Sequence, residues 1–290
     1  MRGAFLALAL TLIAAPAMAK APFQPWIDGT QATEPQTQTQ RYDRDTYVIR
    51  QSVKTNFEAP FLYLLFGKDR ALLLDTGAGG LKIRPTVDAA IDQWLAEQHR
   101  KSIPLVVAHT HSHGDHRHGD PEFRDRPDTT VVGLTAPEVA AFFKVTDWPG
   151  QIVDFDLGGR ALKVIPTPGH QPAHIMIWDP KTRLLLTGDT LYPGRLYIPL
   201  NMFGDFKASL DRVVGFTRAH RVKWVLGAHI EMTRTPGKDF RDLARTHPDE
   251  HLLELPYASL KDLQAAVRKM GDTPVRDVHP DFIVTPVPPR

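Results

Sequence analysis

The sequence predicts an α/β fold with a two-layered β core and helices on its outside. Strand-like apolar runs dominate the chain and follow one another in meanders. Helical periodicity follows only some of them, so strict βαβ alternation is absent. The chain has 290 residues, 42% of them hydrophobic, which supplies a core for one large domain or two small ones. With 23% charged residues, a net charge of +2 and its basic residues dispersed, the composition disfavours disorder, a fibrous fold and a nucleic-acid partner. The expected partner is a small-molecule substrate; oligomeric state is not readable.

Taken in order, residues 1–19 read as a signal peptide. Arg2 precedes an apolar stretch from Ala4 to Ala15, and the Ala17-Met18-Ala19 triplet marks a cut after Ala19. The stretch is shorter than the roughly 18–20 residues that cross a bilayer, so the expectation is export to a bacterial periplasm with no stable membrane insertion after cleavage. Residues 20–42, rich in Gln, Thr and Pro, form an extended lead-in segment. A catalytic domain is expected over 43–240. It opens with the strands "TYVIRQS", "FLYLLFG" and "RALLLDTGAG". In "PTVDAAIDQWLAEQHR", Val87, Ile91 and Leu95 recur at helical spacing. "IPLVV" is a short buried strand, "TTVVGL" another, and "APEVAAFFK" a helix. Four further strands are "QIVDFDL", "ALKVIPTPGH", "HIMIWD" and "RLLLTGDT". A helix follows with Leu210, Val213, Val214 and Phe216 inward, then a last strand, "KWVLGAH". Residues 241–290 form a C-terminal extension with one helix, "SLKDLQAAVRKM", and a Pro-rich end.

The chemistry concentrates in "HTHSHGDH", residues 109–116. His111 and His113 point to one side of an extended backbone, while Asp115 and His116 turn toward a second point as the loop curls. That geometry suits two metal ions better than one. Three more candidates stand where apolar runs stop: His170 closes "IPTPGH", Asp189 lies in "LLLTGDT" and His229 ends "WVLGAH". Residues carried on loops by a rigid β scaffold have this placement. The chain contains no cysteine, so any metal is held by nitrogen and oxygen.

The ordered set "THSHGDH", "TPGH", "TGDT" and "GAH", preceded by "LLLDTGAG", resembles the metallo-β-lactamase superfamily over residues 43–232. The resemblance implies an αββα sandwich of two mixed β-sheets flanked by helices. It places His111, His113 and His170 on one metal, and Asp115, His116 and His229 on the other, with Asp189 bridging. It also implies a metal-bridging hydroxide that hydrolyses a small ester, thioester, lactone or lactam. Nitrogen-rich ligation suits two Zn²⁺; Fe or Mn also fit mixed His and carboxylate sites. Asp75 is expected to orient the metal loop by accepting hydrogen bonds. His109 and His118 match no ligand position.

On substrate, the complete donor set is similar to glyoxalase II and to acyl-homoserine-lactone lactonases. A thiolate-type lactamase is excluded by the missing cysteine. The segment "LYPGRLYIPLNMFGDF" after Asp189 departs from the glyoxalase pattern. In lactonases of this kind a Tyr assists the substrate carbonyl. Tyr192 stands where it would do the same, so Asp115 and Tyr192 are the catalytic candidates. Arg195 and Tyr197 are either ligand contacts or rim side chains, and Trp148 and Phe203 are candidate pocket walls. Two other classes remain open: an iron-dependent oxidoreductase of the same fold, and a non-catalytic periplasmic metal-binding protein.

Overall fold

The computed structural model describes residues 21–289, so the signal peptide expected over 1–19 lies outside the described residues. The chain opens with β1 (Thr37–Asp43), β2 (Thr46–Gln51), β3 (Phe61–Phe66), β4 (Ala71–Leu74), α1 (Arg84–Glu97) and β5 (Leu105–Ala108). Two single-turn helices, α2 (Gly114–Arg117) and α3 (Pro121–Arg124), lead to β6 (Thr129–Val131) and α4 (Ala136–Phe143). Then come β7 (Val153–Asp156), β8 (Ala161–Pro166), β9 (Ile175–Asp179), β10 (Leu184–Gly188), β11 (Arg195–Pro199), α5 (Phe203–Thr217) and β12 (Trp224–Gly227). The chain closes with β13 (Glu254–Leu255), α6 (Tyr257–Lys269), β14 (Asp277–Val278) and β15 (Ile283–Val287).

The strands form two mixed six-stranded sheets, ordered β1-β2-β3-β4-β5-β6 and β13-β12-β10-β9-β8-β7, and a small third sheet, β11-β15-β14. Strand alternation makes the layers. One face of the first sheet, with Tyr63, Leu72, Leu74 and Val106, packs on Leu162, Ile177, Leu186 and Leu226 of the second. The opposite face of the first sheet, with Leu62, Leu64, Leu73 and Val107, is covered by Val87, Ile91, Trp94 and Leu95 of α1. Each such side chain contributes roughly 1.5–3 kcal/mol when fully buried. On the outside of the second sheet, Met176, Leu185 and Val225 meet Leu210 and Val213 of α5 and Leu263 and Val267 of α6. The result is the αββα sandwich. Phe216, expected inward, is only half-buried at the margin of this last layer.

The two sheets are fastened at one corner by Arg160, 4% exposed. Its guanidinium pairs with Asp179 at 2.6 Å and donates to Thr46 Oγ1 at 2.7 Å and to the Asp45 and Phe66 carbonyls at 2.6 and 3.0 Å. Removing one partner of such a buried pair costs about 3–5 kcal/mol, because the other charge is left uncompensated.

Parts of the lead-in segment and of the C-terminal extension are built into this frame. The last six residues of the lead-in segment, 37–42, together with Asp43 form the edge strand β1. The Pro-rich end is β15, parallel to β11 from Ile283↔Arg195 to Val287↔Pro199. β14 reaches only Ile283 and Val284, so Pro286 faces no ladder partner on that side and its missing N–H costs nothing there.

Candidate metal centre

Parallel pairing gathers the candidate residues. β4 and β5 run parallel with Leu74 opposite Ala108, and β10 and β12 run parallel with Gly188 opposite Gly227. Their C-terminal ends release Asp75, the loop 109–116, Asp189 and His229 at one rim. β8, antiparallel to β9 as β9 is to β10, ends there too and delivers His170. Two glycines permit the approach. A Cβ on Gly169 (φ +153°) would come within 2.5 Å of Phe206 Cα, and one on Gly188 (φ +50°) within 2.7 Å of Thr110 Cβ.

All seven predicted donors converge. His111, His113 and His170 form one group and Asp115, His116, Asp189 and His229 a second, with donor atoms within 4.8 Å of one another in each. His113 Nδ1 lies 2.9 Å from His111 Nε2 and 3.0 Å from His170 Nε2. Asp115 Oδ2 lies 3.1 Å from His116 Nε2 and 3.3 Å from His229 Nε2. Asp189 stands between the groups. Its Oδ2 is 3.8 Å from His111 Nε2 and 3.5 Å from His170 Nε2, while Oδ1 is 3.4 Å from His116 Nε2 and 3.3 Å from His229 Nε2.

The far sides of the rings are tied to the scaffold. His116 Nδ1 is 2.9 Å from Asp75 Oδ2, and Asp75 Oδ1 accepts the Thr110 N–H at 2.7 Å. Asp75 thus orients the loop as its position in the sequence suggests. It does so in the left-handed region (φ +70°), a conformation that costs a non-glycine residue of order 1–3 kcal/mol and is held by these bonds. His170 Nδ1 faces the Tyr197 carbonyl at 2.7 Å and His229 Nδ1 the Glu58 carbonyl at 2.8 Å. Nδ1 is therefore a donor in both, and Nε2 is the nitrogen turned inward.

The electrostatics differ between the groups. Burial pushes His113 down to about 4 and holds His111 and His170 below the ordinary imidazole range. Burial also opposes charge on His116 and His229, but Asp115 and Asp189 outweigh it and carry both well above that range. The two carboxyls, which burial would raise, are in turn held well below theirs by His116 and His229.

Cations fit this donor set. Imidazole nitrogens and carboxylate oxygens face one another with no Lys or Arg among them, and Asp189 Oδ1 is buried without a hydrogen-bond partner among the described residues. Zinc, iron and manganese all take such ligands.

Other candidates separate. Tyr192, expected to reach the substrate carbonyl, is 2% exposed, and its hydroxyl donates to the Arg195 carbonyl at 2.5 Å. Its ring packs edge-on to His229 with centroids 5.3 Å apart. The Arg195 carbonyl thus engages the Tyr192 hydroxyl, and the ring lies against the His229 loop. Arg195 is likewise engaged internally, whereas Tyr197 is a half-buried wall of a cavity beside the cluster. Phe203 is buried in the outer α/β layer and Trp148 packs against the inter-sheet core. His109 lies 2.8 Å from Asp120 Oδ1, which also accepts from Thr76 Oγ1. That gives His109 a structural task below the loop.

Two contributors escape a reading along the chain. His174 is fully buried and held neutral by burial, with Nδ1 2.8 Å from Thr167 Oγ1 and its ring stacked on His111. Glu58 lies between two strands without any motif, and burial raises its carboxyl to about 7. Only its repeat of the "PxH" spacing could have drawn attention to His174; nothing in the sequence marks Glu58.

Fold and site together define an αββα sandwich that carries two adjacent groups of His and Asp side chains able to bind metal. A family model described as the metallo-β-lactamase superfamily matches residues 56–204, just over half of the chain. The chain belongs to the metallo-β-lactamase superfamily. It is 32% identical over 127 residues to a hydroxyacylglutathione hydrolase of Idiomarina loihiensis, a match covering 44% of each chain. It is 26% identical over 201 residues to the acyl-coenzyme A thioesterase MBLAC2 of Homo sapiens, covering 58% of this chain and 72% of that one. These relatives are hydrolases; the chain spans less than half the length of the first. Among solved structures, the FIM-1 metallo-β-lactamase of Pseudomonas aeruginosa superposes with a TM-score of 0.55 at 13% identity, covering 83% of this chain and 98% of that one. A metallo-β-lactamase from Hirschia baltica gives 0.54 at 14% identity, covering 80% and 98%. Both share the fold.

Proposed function

We propose that this chain is an exported dinuclear zinc hydrolase acting on a small ester, thioester, lactone or lactam. The observation that carries the reading is the division of Asp189, with one carboxylate oxygen toward His111 and His170 and the other toward His116 and His229. His111, His113 and His170 would hold one ion, and Asp115, His116 and His229 the other, with Asp189 shared. Two such ions, when bound, supply hydroxide at neutral pH and polarise a carbonyl.

The protein's own groups prepare the site. The Tyr197 and Glu58 carbonyls fix the tautomers of His170 and His229, and Asp75 fixes His116. Burial keeps His111, His113 and His170 neutral, so their nitrogens are available at neutral pH. The thioester substrates in the relatives' names support a thioester or ester, and the character of residues 1–19 supports export to the periplasm.

The test is elemental analysis of the purified protein together with a hydrolysis panel: an aryl ester, a glutathione thioester, an acyl-homoserine lactone and a chromogenic β-lactam. Two zinc ions per chain and turnover that vanishes in Asp115→Asn are the expected result. A redox-active iron signal, or full metal loading with no hydrolysis of any member, would overturn the reading.

A further inference from the structure

Four of the ionisable side chains in "HTHSHGDH" enter the two donor groups, and His109 enters neither. We propose that His109 is a positioning residue for the metal centre, which acts through Asp120 and Thr76 to fix His116 and the loop that carries it. The inference rests on the two-metal reading and adds a residue that is not itself a donor.

A chain of buried contacts carries the argument. His109, Asp120 and Thr76 are all buried. Asp120 Oδ1 lies 2.8 Å from His109 Nε2 and accepts the Thr76 hydroxyl at 2.8 Å. A carboxylate oxygen accepts, so Nε2 is the donor in the first contact. His109 Nδ1 is buried without a partner, which makes the bond to Asp120 the one that its ring forms among the described residues. Thr76 in turn donates its N–H to the His116 carbonyl at 2.7 Å. Gly119 permits this approach, since a Cβ there would lie 2.5 Å from the Thr76 carbonyl oxygen. His109 is the first residue past β5 and Asp120 the last before α3, so their contact closes the two ends of the segment that carries four of the seven donors.

Thr76 is itself anchored, independently of that segment. The Ala78 N–H donates to Gln51 Oε1 at 3.0 Å, Gln51 Nε2 donates to the Gly79 carbonyl at 2.5 Å, and Asn56 Nδ2 donates to the Ala78 carbonyl at 2.8 Å. The turn after Asp75 is thereby tied to the end of β2 and to the residues that follow it. A loop whose ends are held before a cation arrives loses less backbone freedom on binding, so its affinity is higher. Without the His109 donor, Asp120 keeps a buried carboxyl with one hydrogen bond fewer, which favours its release from Thr76.

The experiment measures the zinc affinities of the full protein by chelator competition in His109→Leu and in His109→Gln, whose amide N–H takes the place of the ring donor. In His109→Leu at least one affinity should fall by about tenfold, the lower end for residues that support a ligand, and the absorption spectrum of the cobalt-loaded protein should shift. His109→Gln should recover both. Lower unfolding stability with unchanged zinc affinities and an unchanged cobalt spectrum would make His109 a packing residue and overturn the proposal, as would equal losses in the two variants. The route is tested by a cycle with Thr76→Val, in which the losses should depart from additivity by more than about twofold; additive losses overturn it. Where His109→Leu does not fold, Thr76→Val is read in its place by the same affinities and spectrum. If the unaltered protein takes up no zinc, the two-metal reading fails separately, and amide hydrogen exchange decides the clamp. Loss of protection at the Thr76 N–H in His109→Leu upholds it; unchanged protection overturns it.

Discussion

The metal cluster and the cavity wall beside it are built in opposite ways. The cluster draws four of its seven donors from His111–His116, and each of the others stands just beyond a strand. Its rings are pinned from behind by Asp75 and by main-chain carbonyls. The wall instead collects Phe57 and Glu58, Arg195 and Tyr197, Glu231, and residues 240–247, mostly from loops. What holds it is ionic, with Arg195 at the centre. The cluster follows from sheet geometry, whereas the wall is assembled from segments far apart in the chain.

The comparison breaks most sharply at Asp189. Asp189→Ala should lower metal content measured by elemental analysis and reduce kcat/KM by more than about 100-fold, the upper end for residues that merely support a ligand. Undiminished zinc stoichiometry would show that the two groups do not share this carboxylate. Asp75→Asn keeps the shape but weakens the acceptor behind His116 and Thr110. A loss of about 10- to 100-fold in metal affinity is expected in a chelator competition, and an unchanged affinity would detach Asp75 from the cluster. Arg195→Met tests the wall. Here the metal content should stay constant while KM rises by about tenfold, or 1.4 kcal/mol; metal loss would mean that wall and cluster are one unit. The smallest effect is expected for Tyr192→Phe. Its hydroxyl serves the Arg195 carbonyl, so the change should cost about 1 kcal/mol of stability in denaturant unfolding and leave kcat nearly unaltered. A large fall in kcat with KM preserved would restore Tyr192 to the reaction.

Much of this was legible along the chain because strand ends are written in local chemistry. Apolar runs that stop at "DTGAG", "HTHSHGDH", "TPGH", "TGDT" and "GAH" locate the rim, and parallel pairing then makes it one place. The helix spacing of Val87, Ile91 and Leu95 likewise named the face that α1 buries. Tyr192 shows where such reading stops. Its distance from Asp189 in sequence fits a catalytic role, yet the competing acceptor, the Arg195 carbonyl, is revealed only by the turn between them. The Pro-rich end of the chain gave no hint that it pairs with β11, because pairing depends on a partner about 88 residues away, and loop-closure cost alone does not forbid such distances.

Beyond the superfamily resemblance, which picks out the seven side chains, the linear order of residues decided most of the strand and helix sequence up to β12 and the nitrogen and oxygen character of the centre. These follow from periodicity and residue type, which act over a few neighbours. Folding decided which carboxylate oxygen faces which group of histidines, which hydroxyl is already taken, and which residues line the adjoining cavity. Those depend on distances between segments far apart in the chain, where a shift of an ångström separates a free group from a committed one.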